Sequence, residues 1–160
     1  INMNKLAKIF IVVIICVAVG SFSGIVPRAS IETWCPTLIK PSFNPPNWIF
    51  APVWTLLYMM MGVAGGLIWS KSDINKNLVK TALWLFAIQL ILNALWSYLF
   101  FGLHSPMLAG MEIVLLWVMI FATYKQFAKI DNTAAYLMLP YLTWVSFAMI
   151  LNANIWWLNR

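Results

Sequence analysis

Apolar positions along the 160 residues gather into five long runs, Leu6 to Ile25, Trp48 to Trp69, Leu78 to Phe101, Pro106 to Phe127 and Thr133 to Trp157. Each is about 20 to 25 residues long, enough for a helix rising ~1.5 Å per residue to cross roughly 30 Å of hydrocarbon. None alternates with the period of two that a membrane-spanning strand requires. The pattern predicts an all-α fold: an integral membrane bundle of five transmembrane helices with a long structured loop between the first and second, residues 1–160 forming a single transmembrane domain. The first run follows Lys5 and Lys8 as a signal-peptide core would, but it continues to Val26 without a convincing small-residue cleavage site and reads as a retained span.

The connections agree with this count. Segments 70–77 (Ser-Lys-Ser-Asp-Ile-Asn-Lys-Asn) and 125–132 (Lys-Gln-Phe-Ala-Lys-Ile-Asp-Asn) are short and polar, and only Gly102-Leu103-His104-Ser105 separates the third and fourth runs. Such links suit antiparallel neighbours, and Pro106 is placed for the first turn of a helix. Lys5, Lys8, Lys71, Lys76, Lys80, Lys125 and Lys129 fall at one end of the bundle, against Arg28, Lys40 and Arg160 at the other. That asymmetry predicts the N-terminus inside and the C-terminus outside.

Composition identifies the solvent. Hydrophobic residues make up 63% of the chain and charged residues 9%, where a water-facing domain carries about 25% charged residues. The net charge of +6 arises from few acids rather than from a dense basic stripe, which excludes a nucleic-acid surface. Cys16 lies in an apolar run and Cys35 in the following segment, and the pair reads as two separate thiols.

Residues 27–47 are too long for a simple link and carry five of the eight prolines. Prolines from Pro36 to Pro46 fix φ and remove donors, so this stretch forms a stiff cap rather than a regular helix, with a short helix expected over 28–35. Trp34, Leu38, Ile39 and Phe43 supply apolar area for packing onto the bundle mouth. Two readings stay open: a structural cap, or the lid or portal of a pocket, as long ordered loops often are.

Polar groups within the runs are few and therefore informative. Gln89, Asn93 and Ser97 recur every four residues and share one helix face. Glu112, about 9 Å into the fourth run by helix rise, must face the interior, be protonated or find a donor. With antiparallel helices, Asn93, Glu112 and Asn152 all fall in the half beneath the long loop, where they can share one cluster. Trp48, Trp69, Trp156 and Trp157 at run ends read as interface anchors, whereas Trp54 and Trp144 lie deeper. Aromatic walls with a few polar groups describe a pocket for a flat apolar ligand; plain packing is the alternative. Pro52 is expected in a tolerated first turn, and Pro140 frees the carbonyl of Tyr136. Gly62 with Gly66 and Gly20 with Gly24 give two G-x-x-x-G spacings, for contacts within the chain or at a homodimer seam.

No catalytic constellation emerges. His104 is the one histidine and sits in a short connection, so no metal site is expected, and a haem ligand there is less expected than simple exposure. No motif requires a cofactor. The span count lacks the matched broken helices of common transporters.

Four blocks carry a resemblance: Trp34-x-Pro36-x-Leu38-x-Lys40-Pro41-Ser42-Phe43-x-Pro45-Pro46-x-Trp48 through Pro52-Val53-Trp54-x-x-Leu57-Tyr58-x-x-Met61-Gly62; Gln89-Leu90-x-Leu92-Asn93-x-x-Trp96-Ser97; Glu112; and Pro140-Tyr141-x-x-Trp144-x-x-Phe147-Ala148-x-x-Leu151-Asn152. In their order and intervals they resemble the TspO/MBR family of tryptophan-rich sensory proteins, which includes the mitochondrial translocator protein. The resemblance implies a five-helix membrane protein, commonly dimeric, that binds porphyrins such as protoporphyrin IX or haem and acts as a tetrapyrrole sensor, buffer or carrier. Transport of tetrapyrroles or sterols, or light- and oxygen-dependent porphyrin breakdown, are its alternatives. Carried over position by position, it implies a ligand site at Trp54, Asn93 and Trp144, with Trp34, Trp48, Tyr58, Trp96, Tyr141, Ala148 and Asn152 as neighbours. Trp54 and Trp144 are the residues implied if the porphyrin is degraded. The stretch from Leu151 to Arg160 lacks the central Tyr of the animal sterol pattern, which favours a prokaryotic member in the cell inner membrane.

Overall fold

The computed structural model describes residues 4–24 and 33–160. Five helices result: α1 (Lys5–Ser23), α2 (Asn47–Trp69), α3 (Lys76–Ser97), α4 (Pro106–Ala128) and α5 (Asn132–Leu158). Each is long and apolar enough to cross a bilayer. The polar residues of the connections start the helices. Asn4 Oδ1 accepts from Ala7 N–H, Asn75 Oδ1 from Leu78 N–H, Ser105 Oγ from Leu108 N–H and Asp131 Oδ1 from Thr133 N–H, each satisfying a donor that a helix start leaves unpaired. A π-helical turn, Tyr98–Gly102, extends α3, a feature the apolar run did not distinguish from α-helix.

The helices pack as a ring in which α1 lies on α2, α2 on α5, α5 on α4 and α4 on α3, with α3 returning to touch α1 and α2. The stripe Ala109, Glu112, Ile113, Leu116, Ile120, Thr123 and Phe127 turns inward from α4 at three- and four-residue steps. Its lipid-facing side carries Met107, Met111, Val114, Leu115 and Val118. Near the lysine-rich end, the core is filled by Met61, Ile68, Phe86, Phe127 and Met138.

Glycines set the closest approach. A Cβ at Gly62 or Gly66 would collide with the backbone of Val13 or Ile9 on α1, and one at Gly20 would enter the ring of Tyr58. These positions are therefore occupied inside the chain, where the small residue lets two helix backbones meet. Pro52 is the sixth residue of α2 rather than part of its first turn, so the carbonyl of Trp48 loses its helical donor there. The helix α5 runs unbroken through Pro140.

Between helices, the described part of the loop forms a 3-10 turn at Cys35–Thr37 and a turn in which Asn44 N–H donates to the Pro41 carbonyl. Asn159 clamps this loop to the end of α5, accepting from Ile39 N–H at 2.9 Å and donating to the Ile39 carbonyl at 2.8 Å. The short helix expected over 28–35 falls mostly outside the described residues, as does Arg28. Cys16 is a buried free thiol.

Gly62→Leu is expected to drive α1 off α2 and lower stability by about 1–3 kcal/mol or more. Thermal unfolding in detergent measures it, with Gly24→Ala, whose Cβ meets only its own helix backbone at ordinary contact distance among the described residues, as the mild control.

Candidate functional site

Beneath the described part of the long loop the helices leave a cavity of about 560 Å³. That volume lies within the roughly 300–1,000 Å³ of small-molecule sites. Four helices, the loop and the π turn line it: Val17 and Gly20 from α1, Phe50, Trp54 and Tyr58 from α2, Asn93, Trp96 and Ser97 from α3, and Trp144, Phe147, Ala148, Leu151 and Asn152 from α5. Leu38, Lys40 and Asn44 close it from the loop, and Phe100 and Phe101 from the π turn. The helix α4 contributes nothing to the lining.

The walls are aromatic and set at angles. Trp54 and Trp144 meet edge to face, their ring centroids 6.4 Å apart and their planes at 87°. Phe50 stands edge-on to Trp144 at 6.0 Å, and Phe147 is tilted against the same ring at 5.6 Å. Such contacts match the positive edge of one ring to the negative face of another, so they fix orientation as well as burying area. The Nε1–H of Trp144 is buried within the wall and has no hydrogen-bond partner.

Polar residues form the floor. Tyr58 Oη donates to Asn93 Oδ1 at 2.6 Å, and Asn93 Nδ2 donates to Tyr141 Oη at 2.7 Å, so one asparagine on α3 bridges α2 to α5. A second bridge lies nearer the mouth: Trp96 Nε1 donates to Asn152 Oδ1 at 3.0 Å, and Asn152 Nδ2 donates to the Pro106 carbonyl at the start of α4 at 2.8 Å. Gly110 leaves room for it, since a Cβ there would stand 3.1 Å from Asn152 Nδ2. Ser97 Oγ donates to the Ser23 carbonyl, joining α3 to the end of α1.

Of the residues singled out in the sequence, Trp54, Tyr58, Asn93, Trp96, Trp144, Ala148 and Asn152 line the cavity. Tyr141 lies behind the lining as a fully buried support for Asn93. Trp34 packs in the cap, edge-on to Phe100 and stacked on the imidazole of His104 at 4.4 Å. Trp48 is 73% exposed and outside the cavity. Glu112 does not join Asn93 and Asn152 by hydrogen bonds. It lies on α4, the helix that stays out of the lining, buried with neither oxygen partnered. Sequence reasoning missed Phe50, Phe100, Phe147 and Lys40 as lining residues. Phe147 sits three residues past Trp144 and so shares its face, a spacing signal that was available; the placement of Lys40 depends on the fold of the loop. Among the described residues there is no cluster of three His, Cys, Asp or Glu side chains.

A family model described as the TspO/MBR family matches residues 12–158. The chain is 44% identical to the tryptophan-rich protein TspO of Chlorobaculum tepidum over 98% of this chain and 99% of that one. It is 37% identical to the tryptophan-rich protein TspO of Archaeoglobus fulgidus over 99% of both chains. The translocator protein of Ovis aries is 38% identical over 79% of this chain and 75% of its own length.

Tyr141→Phe leaves a buried Asn93 N–H without an acceptor and is expected to cost about 1–3 kcal/mol. Thermal unfolding of Tyr58→Phe, Tyr141→Phe and the double variant should show non-additive losses, because both hydroxyls act through Asn93.

Proposed function

The chain belongs to the TspO/MBR family, and on that footing we propose that this multi-pass membrane protein binds porphyrins, protoporphyrin IX or haem, in the cavity beneath the loop. It acts in this reading as a tetrapyrrole sensor, buffer or carrier. The observation that carries it is the aromatic-walled cavity of about 560 Å³, in which Trp54, Phe50 and Phe147 are set around Trp144. Apolar walls with aromatic rings set at angles suit a flat conjugated ligand, which can meet both ring faces and ring edges. Trp54 and Phe147 offer faces and edges to a conjugated ring, while Asn93 and Asn152 already use their amides to join helices and hold the shape of the pocket. No cofactor is needed for binding.

We place the N-terminus inside and the loop outside, in a prokaryotic inner membrane, from the lysine-rich end of the bundle. There Lys8 Nζ lies 5.5 Å from the centroid of the Trp69 ring, a cation at an aromatic anchor. The cavity then faces away from the cytoplasm.

A second reading rests on the Trp54 and Trp144 pair, two indoles meeting at the cavity wall beside any bound ring. Under light and oxygen such rings would take part in breakdown of the porphyrin rather than only in its retention.

Titration of the purified protein with protoporphyrin IX, followed by the Soret shift, tests the first reading. Trp144→Phe keeps an aromatic ring but takes apolar area out of the wall, so affinity should fall about fivefold. Micromolar binding untouched by Trp144→Phe and Asn93→Ala would remove the site assignment. Illumination of the complex in air tests the second: faster Soret loss in the wild type than in Trp54→Phe or Trp144→Phe supports breakdown, and equal rates leave binding alone.

A further inference from the structure

A second, shallow groove runs along the outside of the bundle between α2 and α5, with Val53, Leu56, Leu139 and Thr143 along it. Leu56 and Leu139 are exposed, so in a membrane this face meets lipid. Thr143 turns its hydroxyl back onto the Leu139 carbonyl at 2.9 Å and adds no open donor to the groove. The inner wall of the groove is made by Trp144 and Phe147, the same two rings that stand in the wall of the aromatic cavity. One layer of side chains therefore separates the cavity from the bilayer at this seam. Trp144 is the thirteenth of the 27 residues of α5, which puts it near the middle of the span, beside hydrocarbon rather than headgroups.

The seam is loosely tied at this level. Trp96 and Trp117 each anchor the indole N–H on a side chain, Asn152 and Ser146. Trp144 has no such bond, so its ring can turn away from Phe50 and Trp54 without breaking a hydrogen bond. Both helices of the seam also lack a backbone rung beside the groove. Pro52, next to Val53, leaves the Trp48 carbonyl without its helical donor, and Pro140, which lines the groove one turn before Trp144, does the same to the Tyr136 carbonyl. The seam of α1 and α2 is the opposite case, since Gly62 and Gly66 bring those two backbones into direct contact.

We propose that the ligand passes between the cavity and the hydrocarbon of the bilayer through the seam of α2 and α5, with Trp144 and Phe147 as the door. The inference rests on the porphyrin reading above and adds the route by which such a ligand arrives. A flat apolar ring system leaves water for hydrocarbon favourably, and a door at mid-span keeps it out of water through the whole transfer. When the two rings turn aside, the opening is a slit along the helix axes, which admits a plate edge-first. The floor stays in place meanwhile. Tyr58 and Tyr141 remain tied through Asn93, one turn deeper than Trp144, so the spacing of α2 and α5 is kept while the side chains above it move.

The test reads rates rather than affinity. The full chain in nanodiscs of zwitterionic lipid is mixed with protoporphyrin IX, and association and dissociation are followed by stopped-flow at the Soret band. Leu56 and Leu139 belong to the groove and not to the cavity lining, and they lie on different helices. Leu56→Trp and Leu139→Trp, which fill the groove, should each slow association and dissociation together by about fivefold and leave Kd within about twofold of wild type. Leu139→Ala, which empties it, should speed both steps. Asn159→Ala, which frees Ile39 of the loop from the end of α5, should change neither. Filled grooves that exchange porphyrin at the wild-type rates overturn the route, and so does a filled groove that speeds release alone, because it marks a wall of the site and not a passage. If the tryptophan variants do not fold, Leu139→Ala decides, and wild-type rates in that variant overturn the route. A wild type that binds no protoporphyrin IX strikes the porphyrin reading, whereas normal binding with unaltered exchange strikes the route alone.

Discussion

One asparagine sets the geometry on which the cavity depends. In hydrocarbon there is no water to take over a lost hydrogen bond, so a polar side chain inside the bundle must find its partners on neighbouring helices. Asn93, 3% exposed, does so on two sides at once, accepting from Tyr58 on α2 and donating to Tyr141 on α5. The helices α2 and α5 are thereby held at a spacing that a direct apolar contact would collapse. On the loop side of the bridge stand the aromatic walls; beyond it, towards the lysine-rich end, the core is filled by Met61, Phe86, Phe127 and Met138.

The helices divide the work unequally. The glycines of α2 bring α1 close enough to line the cavity with Val17 and Gly20, and α5 supplies the largest share of the wall. The helix α4 stays outside, attached through Asn152 to the Pro106 carbonyl and through Trp117 Nε1 to Ser146 Oγ at 2.8 Å. It buttresses α5 and α3 rather than meeting a ligand, which explains why Glu112, although at the right depth, is no part of the site.

The five helices were legible in the sequence because hydropathy and cap residues act locally: run limits and helix limits agree within a few residues, and Asn4, Asn75, Ser105 and Asp131 mark the starts. The deep tryptophans were legible for a similar reason, since interface anchoring accounts for Trp48 at a helix end and leaves Trp54 and Trp144 unexplained. Rotation about each helix axis was harder to read. Depth alone grouped Glu112 with Asn93 and Asn152, and only the packing of α4 behind α5 separates them. Lys40 was assigned to the outer end by charge asymmetry, but its place in the cavity lining goes with the fold of the loop, whose Ile39 is held by Asn159, a pairing across 120 residues that no local pattern announces.

The Tyr58–Asn93–Tyr141 bridge and the packed core beyond it separate the cavity from the lysine-rich end. The protein is therefore a cup and not a pore. Passage from the cavity to the lysine-rich end would require breaking two buried hydrogen bonds and parting a packed core. Net movement across the bilayer would demand a second conformation in which Asn93 has released both tyrosines.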